Sequence, residues 1–227
     1  MEKQKKLSLS RIVAGLMIVS LLIVGGLAIH DAMIDPSERY KIGILAMSEG
    51  DYRKAERAFL IVNEDGNAKQ KLSAAYYLGR IYYKGGKNFP ANGQKSALFF
   101  EKAALGGMAG AQYQLALMYD VGDKIPENRS KALMWMNEAA KQGKPEALYG
   151  LGVWIERGYM GDDIQMDKVV ALYEAAAAQG HKNAMTSLVN IYAEGYGKFP
   201  YNIEKSNYWK ARLDELNARA RKIKKIK

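Results

Sequence analysis

The side chains that most often do chemistry in proteins are scarce in this chain. It has 227 residues, with two histidines and no cysteine. His30 and His181 are far apart in sequence, and no thiolate is present to bind a metal ion or to act as a nucleophile beside a histidine. His181 directly follows a glycine that ends a predicted helix, so we expect it to have a turn role. The sequence therefore predicts no metal site and no cofactor.

Carboxylates are the remaining candidates for acid–base catalysis. Asp162 is followed by Asp163, and Glu64 is followed by Asp65. Neighbours in sequence rarely face one substrate as an acid and a base must, so we expect these four residues to be solvated acids in turns. We predict that the protein is not an enzyme. An enzyme that acts on cell-wall glycan through these acids is the weaker alternative.

The elements that would position any site are set by an internal repeat. An alanine, a leucine four residues later and a glycine seven residues after that recur at spacings of 37, 36 and 37 residues. The four copies are Ala74-Leu78-Gly85, Ala111-Leu115-Gly122, Ala147-Leu151-Gly158 and Ala184-Leu188-Gly195. The leucine and the residue one turn later form a buried stripe, and the small residue next to the leucine allows a neighbouring helix to approach closely. The glycine ends the helix, because a left-handed terminal residue is cheapest in glycine.

The second half of each copy predicts a second helix. A residue suited to cap a helix precedes a lysine by three positions. The pairs are Asn92 and Lys95, Asn128 and Lys131, Gln165 and Lys168, and Asn202 and Lys205. Three copies then end in an Ala-Ala pair and a glycine, whereas Asn217 stands at the glycine position of the fourth, as a terminal unit is expected to diverge.

These residues resemble the Sel-one-like (Sel1-like) repeat, a relative of the tetratricopeptide repeat with a longer turn between its two helices. The resemblance covers residues 74–217, and residues 40–67 look more like a plain tetratricopeptide hairpin. It implies an all-α fold, a right-handed superhelical solenoid of about five antiparallel helix hairpins. Members of the family act mainly as scaffolds and adaptors, and some bacterial members look like immunity proteins against secreted phospholipase toxins.

An uncharged apolar stretch precedes the repeats. As a helix, residues 12–29 would extend roughly 27 Å, close to the hydrocarbon thickness of about 30 Å. A cleaved secretory signal is the alternative, because the stretch is N-terminal and follows basic residues. More basic residues precede it than closely follow it, so we expect a cytoplasmic N-terminus. For a Gram-negative source, the sequence predicts a single-pass protein of the bacterial inner membrane with its repeat array in the periplasm.

This interpretation divides the chain into five segments. They are a cytoplasmic basic segment 1–11, a transmembrane helix or uncleaved signal anchor 12–29, a linker 30–39, the repeat array 40–217 and a basic C-terminal tail 218–227. We expect the tail to be a solvated helix end, with contact to anionic headgroups or an acidic partner as the alternative.

The net charge at first suggests a nucleic-acid partner. Of the formal net charge of +10, residues 1–11 carry +3 and residues 219–227 carry +6, so the residues between them carry only +1. A nucleic-acid-binding protein is expected to place its basic stripe on the folded surface. The charge distribution therefore predicts no nucleic-acid partner.

The predicted binding surface lies on the first helix of each repeat, next to the buried stripe. In a stacked array these helices line the concave face. The candidate partner-binding residues are Tyr77, Arg80, Tyr83, Gln114, Leu117, Asp120, Val153, Glu156 and Asn190. The first three lead because tyrosine and arginine are enriched at the energetic centres of interfaces, although Tyr77 has the alternative of filling space between repeats. The residues assigned to the repeat architecture or the core are Tyr76, Tyr113, Tyr149, Trp135, Trp154 and Trp209.

Together these features predict a non-catalytic protein–protein interaction module. It would be anchored in the inner membrane and would bind a partner protein in the periplasm, such as an envelope or secretion component. The alternative is an immunity protein that neutralises a secreted antibacterial toxin such as a type VI phospholipase effector. We expect no small-molecule substrate.

Overall fold

The computed structural model describes residues 34–161, 164–197 and 199–226, and in these residues the chain is all-helical, as predicted. Ten helices occur there: α1 Pro36–Glu49, α2 Tyr52–Asp65, α3 Ala68–Lys84, α4 Gly93–Leu105, α5 Ala109–Val121, α6 Arg129–Lys141, α7 Pro145–Glu156, α8 Met166–Ala178, α9 Lys182–Glu194 and α10 Ile203–Ile226. The described part contains no strand, and its only extended pairings are two isolated bridges, Gly86 with Phe89 and Tyr196 with Phe199. The described residues divide into two compact units, the first ending at residue 71 and the second beginning at residue 72.

In the first unit, α1 and α2 form a hairpin around the buried ring of Phe59. A Cβ atom on Gly43 would lie 2.7 Å from that ring, so glycine is what allows the two helices to meet there. The turn between them uses Gly50 in the left-handed conformation, with φ of 79°. Asp51 then caps α2 by accepting a hydrogen bond from the backbone N–H of Lys54 at 3.0 Å.

In the second unit, each repeat packs its first helix against its second. The four leucines of the repeat motif are all buried. A Cβ atom on Gly79 would lie 2.7 Å from the Phe100 ring, and one on Gly152 would lie 2.6 Å from the Tyr173 ring. The prediction that small residues after the leucine permit close helix approach is therefore confirmed at these two positions.

The asparagine and lysine columns have two distinct structural roles. Three asparagines cap their helices by accepting the backbone N–H of the lysine three residues later: Asn92, Asn128 and Asn202, at 2.9, 2.9 and 3.0 Å. Gln165 makes no such side-chain bond. The lysine side chains then reach back to tyrosine rings of the preceding helix, with Nζ 5.0, 5.1 and 4.9 Å from the ring centroids in the pairs Lys95 with Tyr82, Lys131 with Tyr119 and Lys205 with Tyr192. These cation–π pairs link the two helices of a repeat.

Two helices extend beyond the predicted ends of the array. Helix α1 begins inside the predicted linker 30–39, where Asp35 accepts a hydrogen bond from the backbone N–H of Ser37 at 2.7 Å. Pro36 follows Asp35, and its fixed φ suits the first helical position. Helix α10 continues through the predicted tail 218–227 as far as Ile226.

The structure contradicts the predicted inner-membrane localisation. The predicted span, residues 12–29, lies outside the described residues. Among the helices that are described, none is both long and apolar enough to cross a membrane. The longest of them, α10, has 24 residues, but lysine and arginine side chains are distributed along its whole length. We therefore withdraw the prediction of a single-pass inner-membrane protein with a periplasmic array.

Candidate functional site

The predicted partner-binding residues all lie on the first helices of the repeats in the second unit. Helix α3 carries Tyr77, Arg80 and Tyr83, α5 carries Gln114, Leu117 and Asp120, α7 carries Val153 and Glu156, and α9 carries Asn190. Arg80 and Asn190 are exposed, and the other seven side chains are half-buried. Each therefore retains some accessible surface, although a role in binding stays a prediction.

Arg80 lies against two tyrosines of its own helix. Its guanidinium carbon is 5.8 Å from the ring centroid of Tyr76 and 5.7 Å from that of Tyr77. The two rings pack edge to face at 5.5 Å, and Tyr76 also packs against the core ring of Phe100 at 5.8 Å. Helical spacing of three and four residues makes these contacts possible. Arg80 is thus an exposed cation with an aromatic base beneath it.

Lys124, from the loop between α5 and α6, covers Tyr83 of the preceding repeat. Its Nζ atom is 4.2 Å from the Tyr83 ring centroid and donates a hydrogen bond to the Tyr83 carbonyl oxygen at 2.6 Å. Lys124 is not among the residues predicted from the sequence, because this loop contact joins two positions that do not share a repeat column. The cation beside Tyr83 therefore comes from the next repeat.

The carboxylates of Asp120 and Glu156 already accept hydrogen bonds within the fold. Asp120 accepts a hydrogen bond from the Tyr159 hydroxyl, and this bond raises the pKa of Tyr159. The guanidinium carbon of Arg129 lies 3.8 Å from the Tyr159 ring centroid. Glu156 accepts a hydrogen bond from the buried Tyr173 at 2.6 Å, and burial together with this bond raises the pKa of Tyr173. Both carboxylates thus satisfy tyrosine hydroxyls.

The remaining predicted partner-binding residues are Leu117, Val153, Gln114 and Asn190. Leu117 and Val153 pack their partly buried side chains against the core of the second unit. Gln114 is half-buried on α5, and Asn190 is exposed on α9. The predicted core positions Trp135, Trp154 and Trp209 are buried, with exposed fractions of 7, 7 and 8%.

His181 has the turn role that the sequence predicts. It stands directly before α9, and its Nδ1 atom accepts the backbone N–H of Ala184 at 3.2 Å. Its ring lies against Tyr149, with 4.6 Å between the ring centroids. Burial lowers the pKa of His181, although the nearby Glu146 carboxylate partly opposes this. A proton on Nδ1 would break this cap, because Nδ1 could then no longer accept the Ala184 N–H.

The other candidates for chemistry stand apart from this region. Glu64 and Asp65 form the end of α2 in the first unit. His30, Asp162 and Asp163 lie outside the described residues. In the part of the chain that is described, no group of three or more histidines and acids is placed to hold a metal ion.

Charge changes from repeat to repeat along the second unit. Residues 72–108 contain five Lys and Arg residues and one acid, for a formal charge of +4. Residues 109–144 carry +1, and residues 145–181 contain six acids and two basic residues, for −4. The end that carries Arg80 is therefore basic, and the repeat that carries Glu156 is acidic.

The family comparison agrees with the repeat geometry. Residues 72–108, 109–144 and 145–181 each match the family model for the Sel1 repeat. Three consecutive segments of the chain therefore resemble the Sel1 repeat. Such repeats typically mediate protein–protein interaction and are generally non-catalytic. No curated protein sequence matches the chain significantly.

Solved structures extend the likeness beyond the Sel1 repeats. A protective antigen present in uropathogenic Escherichia coli strains, which displays an SLR fold, is 26% identical with a TM-score of 0.67; the match covers 80% of this chain and 38% of the antigen. A Sel1 repeat protein from Oxalobacter formigenes is 25% identical with a TM-score of 0.63, over 80% of this chain and 52% of that one. This chain therefore spans well under two thirds of either structure.

An immunity protein from Pseudomonas aeruginosa is also similar in structure. It is 19% identical with a TM-score of 0.53, over 81% of this chain and 68% of the immunity protein. At this level of identity the likeness shows a shared fold alone.

Proposed function

We propose that the second unit binds a partner protein through the first helices of its repeats, with Tyr77, Arg80 and Tyr83 at the centre of the contact. The observation that carries this proposal is the position of Arg80, which is exposed and lies against two tyrosine rings. Arginine and tyrosine side chains that share a site supply much of the energy of protein interfaces. A cation already held on an aromatic base loses little further freedom when it binds.

The other predicted residues would surround this centre. We take the repeats to stack with right-handed superhelical curvature, so that α3, α5, α7 and α9 line the concave side. The surrounding residues are Gln114, Leu117, Asp120, Val153, Glu156 and Asn190. Because Asp120 and Glu156 already bond to tyrosine hydroxyls, their role would be to fix the surface rather than to bind strongly.

The test is capture of the partner with the tagged full-length protein after cross-linking in its native cells. Mass spectrometry would compare the wild type with a variant that carries Arg80→Glu and Tyr83→Ala. Lys168→Glu, on the exposed face of α8, serves as the matched control because it reverses an exposed cation away from α3.

Our proposal requires a protein that the wild type and the control capture and that the double variant loses. A partner captured equally by all three folded proteins would place the binding surface elsewhere. Circular dichroism would establish that the double variant remains helical.

An immunity protein is the second candidate function. It is supported by the fold shared with the Pseudomonas aeruginosa immunity protein over most of both chains. Under this proposal the partner is a secreted toxin, and the array binds and blocks it. Co-expression of this chain with toxins encoded beside its gene should restore growth of the poisoned cells. Continued killing by every such toxin, with the chain present in excess, would reject this candidate.

A further inference from the structure

We propose that the basic surface of α3, together with Lys124 of the α5–α6 loop, binds an acidic segment of the partner protein, with Arg80 and Lys124 as the carboxylate-binding residues. This inference rests on the proposed function and specifies the chemistry of the partner. It draws on three observations that do not depend on one another: a stretch of sequence without acids, two cations held in place, and the charge of the neighbouring repeats.

The first observation is the composition of the α3–α4 hairpin. Residues 66–100 contain six Lys and Arg residues and no aspartate or glutamate. The nearest acids along the chain are Asp65 before this stretch and Glu101 after it. Helix α3, which carries the Tyr76, Tyr77 and Tyr83 side chains, therefore has four cations and no carboxylate of its own. An acidic partner segment would supply the missing charge.

The second observation is how Arg80 and Lys124 are held. Arg80 is supported by the rings of Tyr76 and Tyr77, and Lys124 by the ring and carbonyl oxygen of Tyr83. Within the described residues neither cation has a carboxylate within ion-pair distance, whereas other lysines of the second unit do, such as Lys141 with Glu138 at 2.7 Å.

The side chains of Arg80 and Lys124 are suited to bind carboxylates. The planar guanidinium of Arg80 can donate two parallel hydrogen bonds to one carboxylate. The ammonium of Lys124 has three donors, and the Tyr83 carbonyl oxygen uses one of them. Arg80 and Tyr83 are three residues apart on α3, so these two cationic sites lie near one another.

The third observation distinguishes a protein from a nucleic acid. The third repeat, residues 145–181, carries a formal charge of −4 on the same array. A uniformly charged phosphate backbone that followed the first helices would be repelled there. A protein segment can match the change of sign, acidic at α3 and less acidic or basic towards α7. The change of sign between repeats therefore favours a protein partner over a nucleic acid.

The experiment measures binding of a fluorescent peptide of alternating glutamate and alanine to the full-length protein. Its glutamine counterpart and a short oligodeoxythymidylate are compared in the same assay. The variants are Arg80→Glu alone, Arg80→Glu with Lys124→Glu, and a control with Lys168→Glu and Lys210→Glu. The control makes the same change in net charge at exposed lysines of α8 and α10.

We expect the glutamate peptide to bind at least about tenfold more tightly than the glutamine peptide in low salt, as charged contacts at an interface allow. The advantage should shrink as salt is raised from about 50 to about 200 mM. Arg80→Glu, alone or with Lys124→Glu, should remove the preference for the glutamate peptide. The control should retain this preference.

Three results would overturn the inference: equal affinity for the two peptides, an equal loss in the control, or tighter binding of the oligonucleotide. None of these would by itself remove the proposed function, because a captured partner could bind the same helices without using a carboxylate. Conversely, loss of an identified partner from both Tyr83→Ala and Arg80→Glu, with no effect of salt on its affinity for the wild type, would uphold the function and reject this inference.

Discussion

Single glycine residues determine how closely the helices of the second unit approach. Gly79 on α3 faces the ring of Phe100, which is 1% exposed, and an added Cβ atom would lie 2.7 Å from that ring. Gly110 on α5 is different, because the nearest atom to an added Cβ would be 3.5 Å away, on the Tyr76 ring. The two positions therefore form a natural pair for testing close packing.

We expect Gly79→Ala to lower the free energy of unfolding by about 1–3 kcal/mol, because the new methyl group would collide with a buried ring. Gly110→Ala should be neutral or slightly stabilising, since alanine favours the helix more than glycine does. Urea unfolding followed by circular dichroism would measure both. An unchanged stability in Gly79→Ala would show that α3 and α4 are not held together at this contact.

His181 should make stability depend on pH. Its pKa is lowered in the folded state, so the unfolded chain takes up the proton first as the pH falls below the ordinary value of 6.5. The contribution of His181 to the free energy of unfolding is therefore fully present above pH 6.5 and is lost as the pH falls below 6.5. His181→Asn should keep the cap, because asparagine is a favoured capping residue, and should remove this component.

Unfolding in urea at about pH 7.5 and about pH 5 would measure the effect. The wild type should lose more stability between the two values than His181→Asn loses. Parallel losses in the two proteins would mean that the imidazole titrates as it does in the unfolded chain.

At the scale of helices and loops, capping distinguishes the third repeat from the others. Asparagine caps α4, α6 and α10, whereas Gln165, at the corresponding position before α8, makes no side-chain cap bond. The third repeat also has Ile155 where the others have a tyrosine, so Lys168 has no ring at that position to cover.

We predict that Gln165→Asn stabilises the protein by about 0.5–1 kcal/mol, because the shorter side chain can accept the Lys168 N–H, which now donates to the backbone carbonyl oxygen of residue 165. Asn128→Gln should cost a similar amount, since it makes the reverse change before α6. Urea midpoints of the two variants would test this, and a loss of stability in Gln165→Asn would show that its backbone cannot adopt the cap.

The helices and loops differ in how well their contacts could be predicted from the sequence. Residues that recur in a column, such as Leu78 and Asn92, were placed correctly because every repeat imposes the same packing and capping. Lys124 and Tyr159 were missed because they lie in loops between the helices and contact other repeats. Their partners are set by how consecutive repeats stack, which no single repeat encodes.

At the scale of the whole molecule, the array extends past the three matched repeats. The contact between Lys205 and Tyr192 repeats the lysine–tyrosine pairing of the first two copies, and Ser206 donates to the Val189 carbonyl oxygen as Ser96 does to that of Gly79. This supports our proposal that the repeats of the second unit continue to residue 217. The predicted localisation had no such support, because it depended on residues outside the helices described here.

The proposed function requires that α3 is the centre of partner binding. The decisive measurement is the affinity of the purified partner, identified by cross-linking, for the wild type, for Arg80→Glu with Tyr83→Ala, and for Lys168→Glu. We predict that the double variant loses more than about 2 kcal/mol of binding free energy, roughly thirtyfold in Kd, while the single control stays near the wild type. A folded double variant with unchanged affinity would contradict the account and move the binding site away from α3.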